Sequence, residues 1–123
     1  MTTRIALGID LGGTYIKSGL VDETGHSIGE WKTPTPARLG QQAILQALVD
    51  AAGQALISPE WKEQEKAGSQ LAGIGVGSPG IVDPDKGLMV QETSNLPGWS
   101  GAAISPTFEE KFGIKTWLDN DAN

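Results

Sequence analysis

Short apolar runs between turn residues dominate the chain and predict a sheet of five strands. Alternating or continuous apolar positions over four to eight residues, closed by glycine, proline, aspartate or asparagine, are typical of strands. The predicted strands cover residues 4–10, 15–21, 27–32, 71–77 and 115–118. Only short turns separate the first three, so the chain is expected to open with a meander.

Two segments have a helical period instead. Between residues 38 and 56, apolar side chains recur mostly at three- or four-residue intervals, which places them on one helical face. A second, shorter helix is expected over 106–112. Ser105 before Pro106 is typical of a helix start, and Gly113 is typical of the residue after a helix end.

The remaining segments are predicted to connect these elements. The polar and charged stretch 58–69 is interpreted as a surface connection with room for one helical turn. Residues 82–87 contain proline, glycine and two aspartates, so they are expected to form a turn, and 88–92 could add a short extra strand.

The order of strands and helices predicts an α/β fold with a mixed five-stranded sheet and helices packed on it. Strands 71–77 and 115–118 flank a helix, so they should be parallel and joined by a right-handed crossover. The long first helix can return the chain in the same way, which makes strand 4–10 parallel to both. Ligands of open parallel sheets bind beyond the carboxyl ends of the strands. The three strand tails are therefore expected to meet at one functional edge.

Composition narrows the classes of function. The 123 residues carry a formal net charge of −6 and contain no cysteine. An acidic chain lacks the basic surface of a nucleic-acid-binding protein, and disulfides and thiolate zinc sites are excluded within these residues. No signal peptide and no apolar run long enough to span a membrane is seen. We therefore expect a cytoplasmic protein with no nucleic-acid or membrane partner.

The stretch GIDLGGT, residues 8–14, is the first candidate site. Backbone N–H groups of Gly12 and Gly13 could form an anion-binding turn, and Thr14 adds a hydroxyl donor. Asp10 would repel a bare phosphate, but a bound Mg²⁺ accepts carboxylate and phosphate oxygens together. The alternative is a plain hairpin in which Asp10 is only a turn former.

The stretch GVGSPG, residues 75–80, matches the dinucleotide-binding pattern G-x-G-x-x-G, but a turn rather than a helix is expected after it. A nicotinamide site is therefore rejected. Gly73 and Gly75 alternate with apolar residues, so one strand face is bare, and we expect a helix to pack closely there. Gly80 lies beyond the strand and is the better ligand-binding candidate.

Two polar segments complete the candidate site. In NLPGW, residues 95–99, Asn95 could orient a substrate hydroxyl, whereas Trp99 is expected to be a core anchor. At the end of the last strand, Asp121 is a candidate general base and Asn120 a hydrogen-bonding partner. The alternative for that segment is a helix N-cap.

Together these motifs resemble the ROK family (repressors, open reading frames and kinases) of the actin-like superfamily of sugar kinases and chaperone ATPases. The resemblance rests on residues 10–14 (DLGGT) with Lys17, 75–83 (GVGSPGIVD), 95–99 (NLPGW) and 120–123 (NDAN), which occur in the family's order. It implies the N-terminal lobe of an actin-like (ribonuclease H-like) ATPase fold and a glucokinase-like activity, the ATP-dependent phosphorylation of a hexose.

The resemblance also implies roles for individual residues. Asp121 matches the family's catalytic base, and Asn120, Gly80 and Asn95 match sugar-binding positions. The loop that meets the ATP phosphates corresponds to Asp10, Gly12, Gly13, Thr14 and Lys17, with Asp10 near Mg²⁺. No protein metal site is expected within this chain.

ROK kinases are at least about twice this length, so the chain is expected to be an inactive N-terminal fragment of a two-lobe kinase. The resemblance places the remaining sugar-binding acids and a zinc-binding cluster in the missing lobe. We expect the full-length protein to be a homodimer. Other hexoses and polyphosphate remain open as acceptor and donor. A non-catalytic binding or assembly module and a sugar-responsive ROK regulator remain as alternatives.

Overall fold

The computed structural model describes residues 3–120 and has one five-stranded sheet, one two-stranded ribbon and three helices. The strands are β1 (Arg4–Leu11), β2 (Tyr15–Asp22), β3 (Ser27–Pro34), β4 (Gln70–Ser78), β5 (Ile81–Asp83), β6 (Leu88–Gln91) and β7 (Thr116–Asn120). The helices are α1 (Gln41–Leu56), α2 (Pro59–Lys66) and α3 (Ile104–Phe112). No helix in this part of the chain combines the length and apolar character needed to cross a membrane.

The large sheet has the order β3-β2-β1-β4-β7, and β5 pairs with β6 in the separate ribbon. The first three strands form an antiparallel meander, whereas β1, β4 and β7 are parallel. The predicted mixed sheet with three parallel strands is therefore confirmed. The parallel pairs require crossover connections. The connection that leads to β4 contains α1 and α2, and the connection from β4 to β7 contains α3.

The core lies between one sheet face and the helices. Alternate residues of β1, from Ile5 to Leu11, are buried, as is the predicted apolar face of α1 except Leu56, which is partly buried. Phe108 of α3 belongs to the same apolar cluster. Burying each such side chain contributes about 1.5–3 kcal/mol.

The opposite face of the sheet, here called the open face, is exposed in the described residues. Gly8 faces Gly19 on β2 and Gly75 on β4, so three neighbouring strands lack side chains at one level. The prediction that a helix packs there is wrong for the described residues. The ring of Trp117 on β7 covers Gly73, where an added Cβ would lie 2.2 Å from the ring, and nothing lies within 4 Å of a Cβ added to Gly75.

The polar stretch after α1 contains a helix rather than a surface connection. Ser58 caps α2, because its hydroxyl accepts a 3.2 Å hydrogen bond from the Trp61 N–H. The Trp61 side chain is buried against the core. The polar composition of α2 hid this single anchor, since one buried residue in eight produces no periodic pattern.

Two predicted helix starts are displaced. The first helix begins at Gln41 instead of 38, after Gly40 with a φ of 94°. The last begins at Ile104, and Ser105 lies inside it rather than capping it. At α3 the reason is a tertiary contact. The N–H groups of Ile104 and Ser105 donate to the Gly87 carbonyl at 3.0 and 3.1 Å, so this helix start needs no side-chain cap.

Two other boundary predictions have opposite outcomes. Gly113, with a φ of 66°, ends α3 as predicted. Residues 81–83 form β5, whereas the sequence predicted a turn from residue 82. The turn itself is confined to 84–87, and pairing with β6 keeps the preceding residues extended.

Candidate functional site

The tails of the three parallel strands meet at one sheet edge, as the topology predicted. Asp10 on β1 is in register with Gly77 on β4, which is in register with Asp119 on β7. One position further, Ser78 pairs with Asn120. The candidate base Asp121 lies outside the described residues.

The glycine turn between β1 and β2 is closed by a hydrogen bond in which the Gly12 N–H donates to the Tyr15 carbonyl at 2.9 Å. A Cβ at Gly12 would lie 2.8 Å from that carbonyl oxygen. Neither Gly12 nor Gly13 has a positive φ. Close approach of backbone, rather than left-handed geometry, is thus the reason that glycine is needed here.

Gly13 brings the turn into direct contact with the NLPGW loop. A Cβ added to Gly13 would lie 3.2 Å from the Cβ of Asn95, so a side chain there would push the asparagine away. The two segments border a hollow of about 360 Å³, here called the rim hollow. Its lining residues are Gly13, Thr14, Ala37, Arg38, Ser94, Asn95 and Pro97.

The NLPGW loop is held in shape by Glu92. Its carboxylate accepts hydrogen bonds from the Gly98 N–H at 2.9 Å and the Ser100 N–H at 3.1 Å. These backbone donors, Gly98 first, lower the pKa of Glu92 below its ordinary value. Gln41, the first residue of α1, donates its side-chain N–H groups to the carbonyls of Gly98 and Ser100.

Trp99 anchors the same loop to the functional edge of the sheet. Its side chain is fully buried, which confirms the predicted core anchor. The indole Nε1–H donates to the buried Ser78 hydroxyl at 3.0 Å, at the tail of β4. Because one loop contacts both the glycine turn and the strand tails, the three segments form one structural unit.

Gly80 and Asn120 also meet. The Asn120 side-chain amide donates to the Gly80 carbonyl, which joins the segment after β4 to the end of β7. Gly80 has a φ of 98°, and a Cβ there would lie 2.4 Å from the Gln91 carbonyl oxygen. Glycine is therefore required at this position by both conformation and space.

Asp10 and Lys17 lie apart from the rim hollow. They face each other across β1 and β2 on the open face. Both line a second hollow of about 370 Å³, together with Glu30 and the row of glycines. It is here called the open-face hollow. The structure thus groups Gly13, Thr14 and Asn95 in one place, Gly80 and Asn120 in another, and Asp10 and Lys17 in a third.

Sequence reasoning missed the residues that brace and complete the rim hollow. Thr35 donates its N–H to the Thr14 carbonyl at 2.8 Å and its hydroxyl to the Gly12 carbonyl at 2.7 Å. Arg38 lines the hollow, while Gln41 and Glu92 hold its loop. Thr35 and Gln41 act through partners 23 and 57 residues away, whereas the partners of Glu92 are six and eight residues away. Neither periodicity nor a recognised motif indicated any of the four.

The residues at the edge suit an Mg²⁺ ion that arrives with a phosphate ligand. Asp10 supplies one exposed carboxylate, and Mg²⁺ commonly takes one or two carboxylates and completes its shell with phosphates and water. Within residues 3–120 no three His, Cys, Asp or Glu side chains cluster as a metal site.

Comparisons with known proteins agree with the geometry. The profile described as ROK family matches residues 6–123. A glucokinase from Halalkalibacterium halodurans is 32% identical over the whole chain, and the chain spans 35% of that relative's length. A xylose repressor from Caldicellulosiruptor bescii is 29% identical over 95% of the chain and 28% of its own length.

The fold also matches solved structures. The ROK family glucokinase from Streptomyces griseus, solved in complex with glucose and AMPPNP, is 28% identical and superposes with a TM-score of 0.75. The match covers 97% of this chain and 34% of that one. The five-stranded sheet is therefore that of a ROK sugar-kinase N-terminal lobe.

Proposed function

Because the chain belongs to the ROK family, we propose that it is the N-terminal lobe of a kinase that phosphorylates a hexose with ATP. Glucose is the proposed acceptor, at its 6-hydroxyl. The chain spans about a third of the length of the relatives it matches, so the activity belongs to a longer protein.

The contact between Gly13 and Asn95 is the observation that carries this proposal. In the proposed roles, Gly13 and Thr14 contact donor phosphates and Asn95 contacts the sugar. Phosphoryl transfer depends mainly on positioning donor and acceptor in line with stabilised charge. A phosphate loop packed against a sugar loop, with one hollow bordering both, is what that requirement predicts.

The chain's residues then have distinct tasks. Asp121 would receive the proton of the attacking hydroxyl as its oxygen bonds to the γ-phosphorus and the bond to ADP breaks. Asn120 and Gly80 would hold sugar hydroxyls, since both lie at the tails of the parallel strands. Asp10 would hold Mg²⁺, which neutralises phosphate charge when bound.

A kinase assay of the longer protein tests the proposal. We expect phosphorylation of glucose above mannose, fructose, N-acetylglucosamine and N-acetylmannosamine, with ATP preferred over polyphosphate. The Asp121→Asn variant should lose at least about 100-fold in turnover, because a positioned base usually contributes 10²–10⁴, while sugar binding changes little. Asp119→Asn, two positions away, is the matched control. Near-normal turnover of Asp121→Asn would remove the proposed base.

A regulator is the second candidate, favoured by the similarity to a xylose repressor. A regulator would bind sugar and operator DNA without forming a sugar phosphate. DNA binding by the longer protein, with no product from any hexose, would replace the kinase proposal. For the 123-residue chain alone we expect no turnover, because a single lobe offers only one wall of a cleft.

A further inference from the structure

Arg38 lies at the junction of two concavities beside the glycine turn. It lines the rim hollow and also a neighbouring hollow of about 390 Å³. Gly13, Thr14 and Ala37 border both. Any ligand that rests on Gly13 and Thr14 would therefore lie beside Arg38.

The segment that carries Arg38 is fastened to the glycine turn. Thr35 makes two hydrogen bonds to the turn, one from its N–H and one from its hydroxyl. The Leu39 N–H donates to the Pro36 carbonyl at 3.1 Å, which folds the chain tightly around Arg38. The Arg38 backbone is thus held at a constant position relative to Thr14, so less conformational freedom is lost when its side chain binds a ligand.

The charge of the rim hollow is positive in an otherwise acidic chain. The net charge is −6, yet the lining residues include one arginine and no carboxylate. The open-face hollow has the opposite character, since Asp10 and Glu30 share it with Lys17. An anion entering the rim hollow therefore meets a cation without a neighbouring acid in the lining.

We propose that Arg38 is a phosphate-binding residue of the rim hollow, with its guanidinium on the oxygens of a phosphate seated over Gly13 and Thr14. The planar fork of arginine matches two phosphate oxygens at once, which lysine cannot do. This role rests on the proposed function. It adds a positive charge to the proposed phosphate-donor site, on the side where Gly13 lies next to Asn95. Lys17 stays a separate prediction.

Two phosphate sources share this chemistry, the polyphosphate chain of the donor and the phosphate ester of a sugar product. Calorimetry with the 123-residue chain can distinguish the two sources. Tripolyphosphate and AMPPNP are the probes for the donor, and glucose 6-phosphate is the probe for the product. Arg38→Gln should weaken tripolyphosphate and AMPPNP at least about tenfold, the usual effect of losing a charge-assisted hydrogen bond. Arg38→Lys should recover only part of it, and Lys62→Gln, a matched charge loss on the exposed side of α2, should change binding less than about twofold.

Every outcome of this experiment is decisive. A loss confined to glucose 6-phosphate would identify the product as the source of the phosphate. Unchanged binding in Arg38→Gln, an equal or larger loss in Lys62→Gln, or no binding by the wild-type chain at millimolar tripolyphosphate would overturn the role of Arg38. Because binding is measured without turnover, Arg38-dependent binding with no kinase activity in the longer protein would overturn the proposed function alone.

Discussion

The rim hollow and the open-face hollow are nearly equal in size, about 360 and 370 Å³, but they are built differently. Hydrogen bonds donated by Thr35, Gln41 and Trp99, and hydrogen bonds accepted by Glu92, hold the turn and loop that form or adjoin the first. The second exists because Gly8, Gly19 and Gly75 have no side chains at one level of the sheet.

This difference shows that volume is a poor guide to function. A hollow made by braced loops keeps its polar groups at defined positions, which binding and phosphoryl transfer both require. A hollow made by missing side chains defines only a shape. The rim hollow is therefore the better candidate for ligand chemistry.

The largest expected contrast comes from two tryptophans. Trp99→Ala should destabilise the chain by about 3–5 kcal/mol, because it removes a fully buried ring and the donor to Ser78. Trp117→Ala, on the open face with the side chain 54% exposed, should cost about 1 kcal/mol. Urea denaturation of both variants measures the difference. Equal losses would mean that the NLPGW loop is no better anchored than the open face.

Two glycines should respond in opposite directions. Gly12→Ala should destabilise by about 1–3 kcal/mol, since its Cβ would press on the Tyr15 carbonyl and the turn must shift. Gly75→Ala should stabilise by about 0.5–1 kcal/mol, because the site has room and alanine loses less backbone entropy. Thermal unfolding of the two variants measures both changes in stability. Destabilisation by Gly75→Ala would show that the open face is not free to accept a methyl group.

A smaller loss of stability is expected when the hydrogen bond between Thr35 and the glycine turn is removed. Thr35→Val keeps the shape but removes the hydroxyl donor to the Gly12 carbonyl, so it should cost about 0.5–1.5 kcal/mol. Thr35→Ser keeps the hydroxyl and should lose less. Chemical denaturation compares the two, and an equal loss would assign the effect to packing of the methyl group instead.

The smallest effect on folding stability should appear only at acidic pH. The pKa of Glu92 is lowered in the folded chain, first by the Gly98 N–H and then by Ser100, so its contribution to stability is present above the ordinary glutamate pKa of about 4.3. That contribution is lost as pH falls through the lowered pKa. Glu92→Gln should therefore flatten the acid side of the stability profile. Superimposable profiles for Glu92→Gln and wild type would contradict the role of this carboxylate.

The fold was largely predictable because its signals are local. Alternation along β1, the helical period of α1 and the αL glycine at Gly113 each lie within a few residues, so strands and helices could be located from short windows. The parallel direction of β1, β4 and β7 followed from the strand–helix–strand order, because a helical crossover returns the chain in the same direction. The failures, α2 and the start of α3, occurred where one buried ring or a distant carbonyl replaced a local signal.

The candidate site was only partly predictable. Glycine and asparagine motifs identified Gly13 and Asn95, but not that they touch. Nothing in the pattern separated Thr14 from Lys17, which line different hollows. Strand alternation places neighbouring motif residues on opposite faces, and the glycine turn adds a change of direction that sequence spacing does not reveal.

By itself, the sequence determined the class of fold, the edge at which the parallel strands end and the family to which the chain belongs. The tertiary structure alone decided which motif residues share a hollow, and it brought in Thr35, Arg38, Gln41 and Glu92. The physical reason is range: propensity and periodicity act over a few residues, whereas the hydrogen bonds of Thr35 and Gln41 join segments tens of residues apart and form only when the core closes.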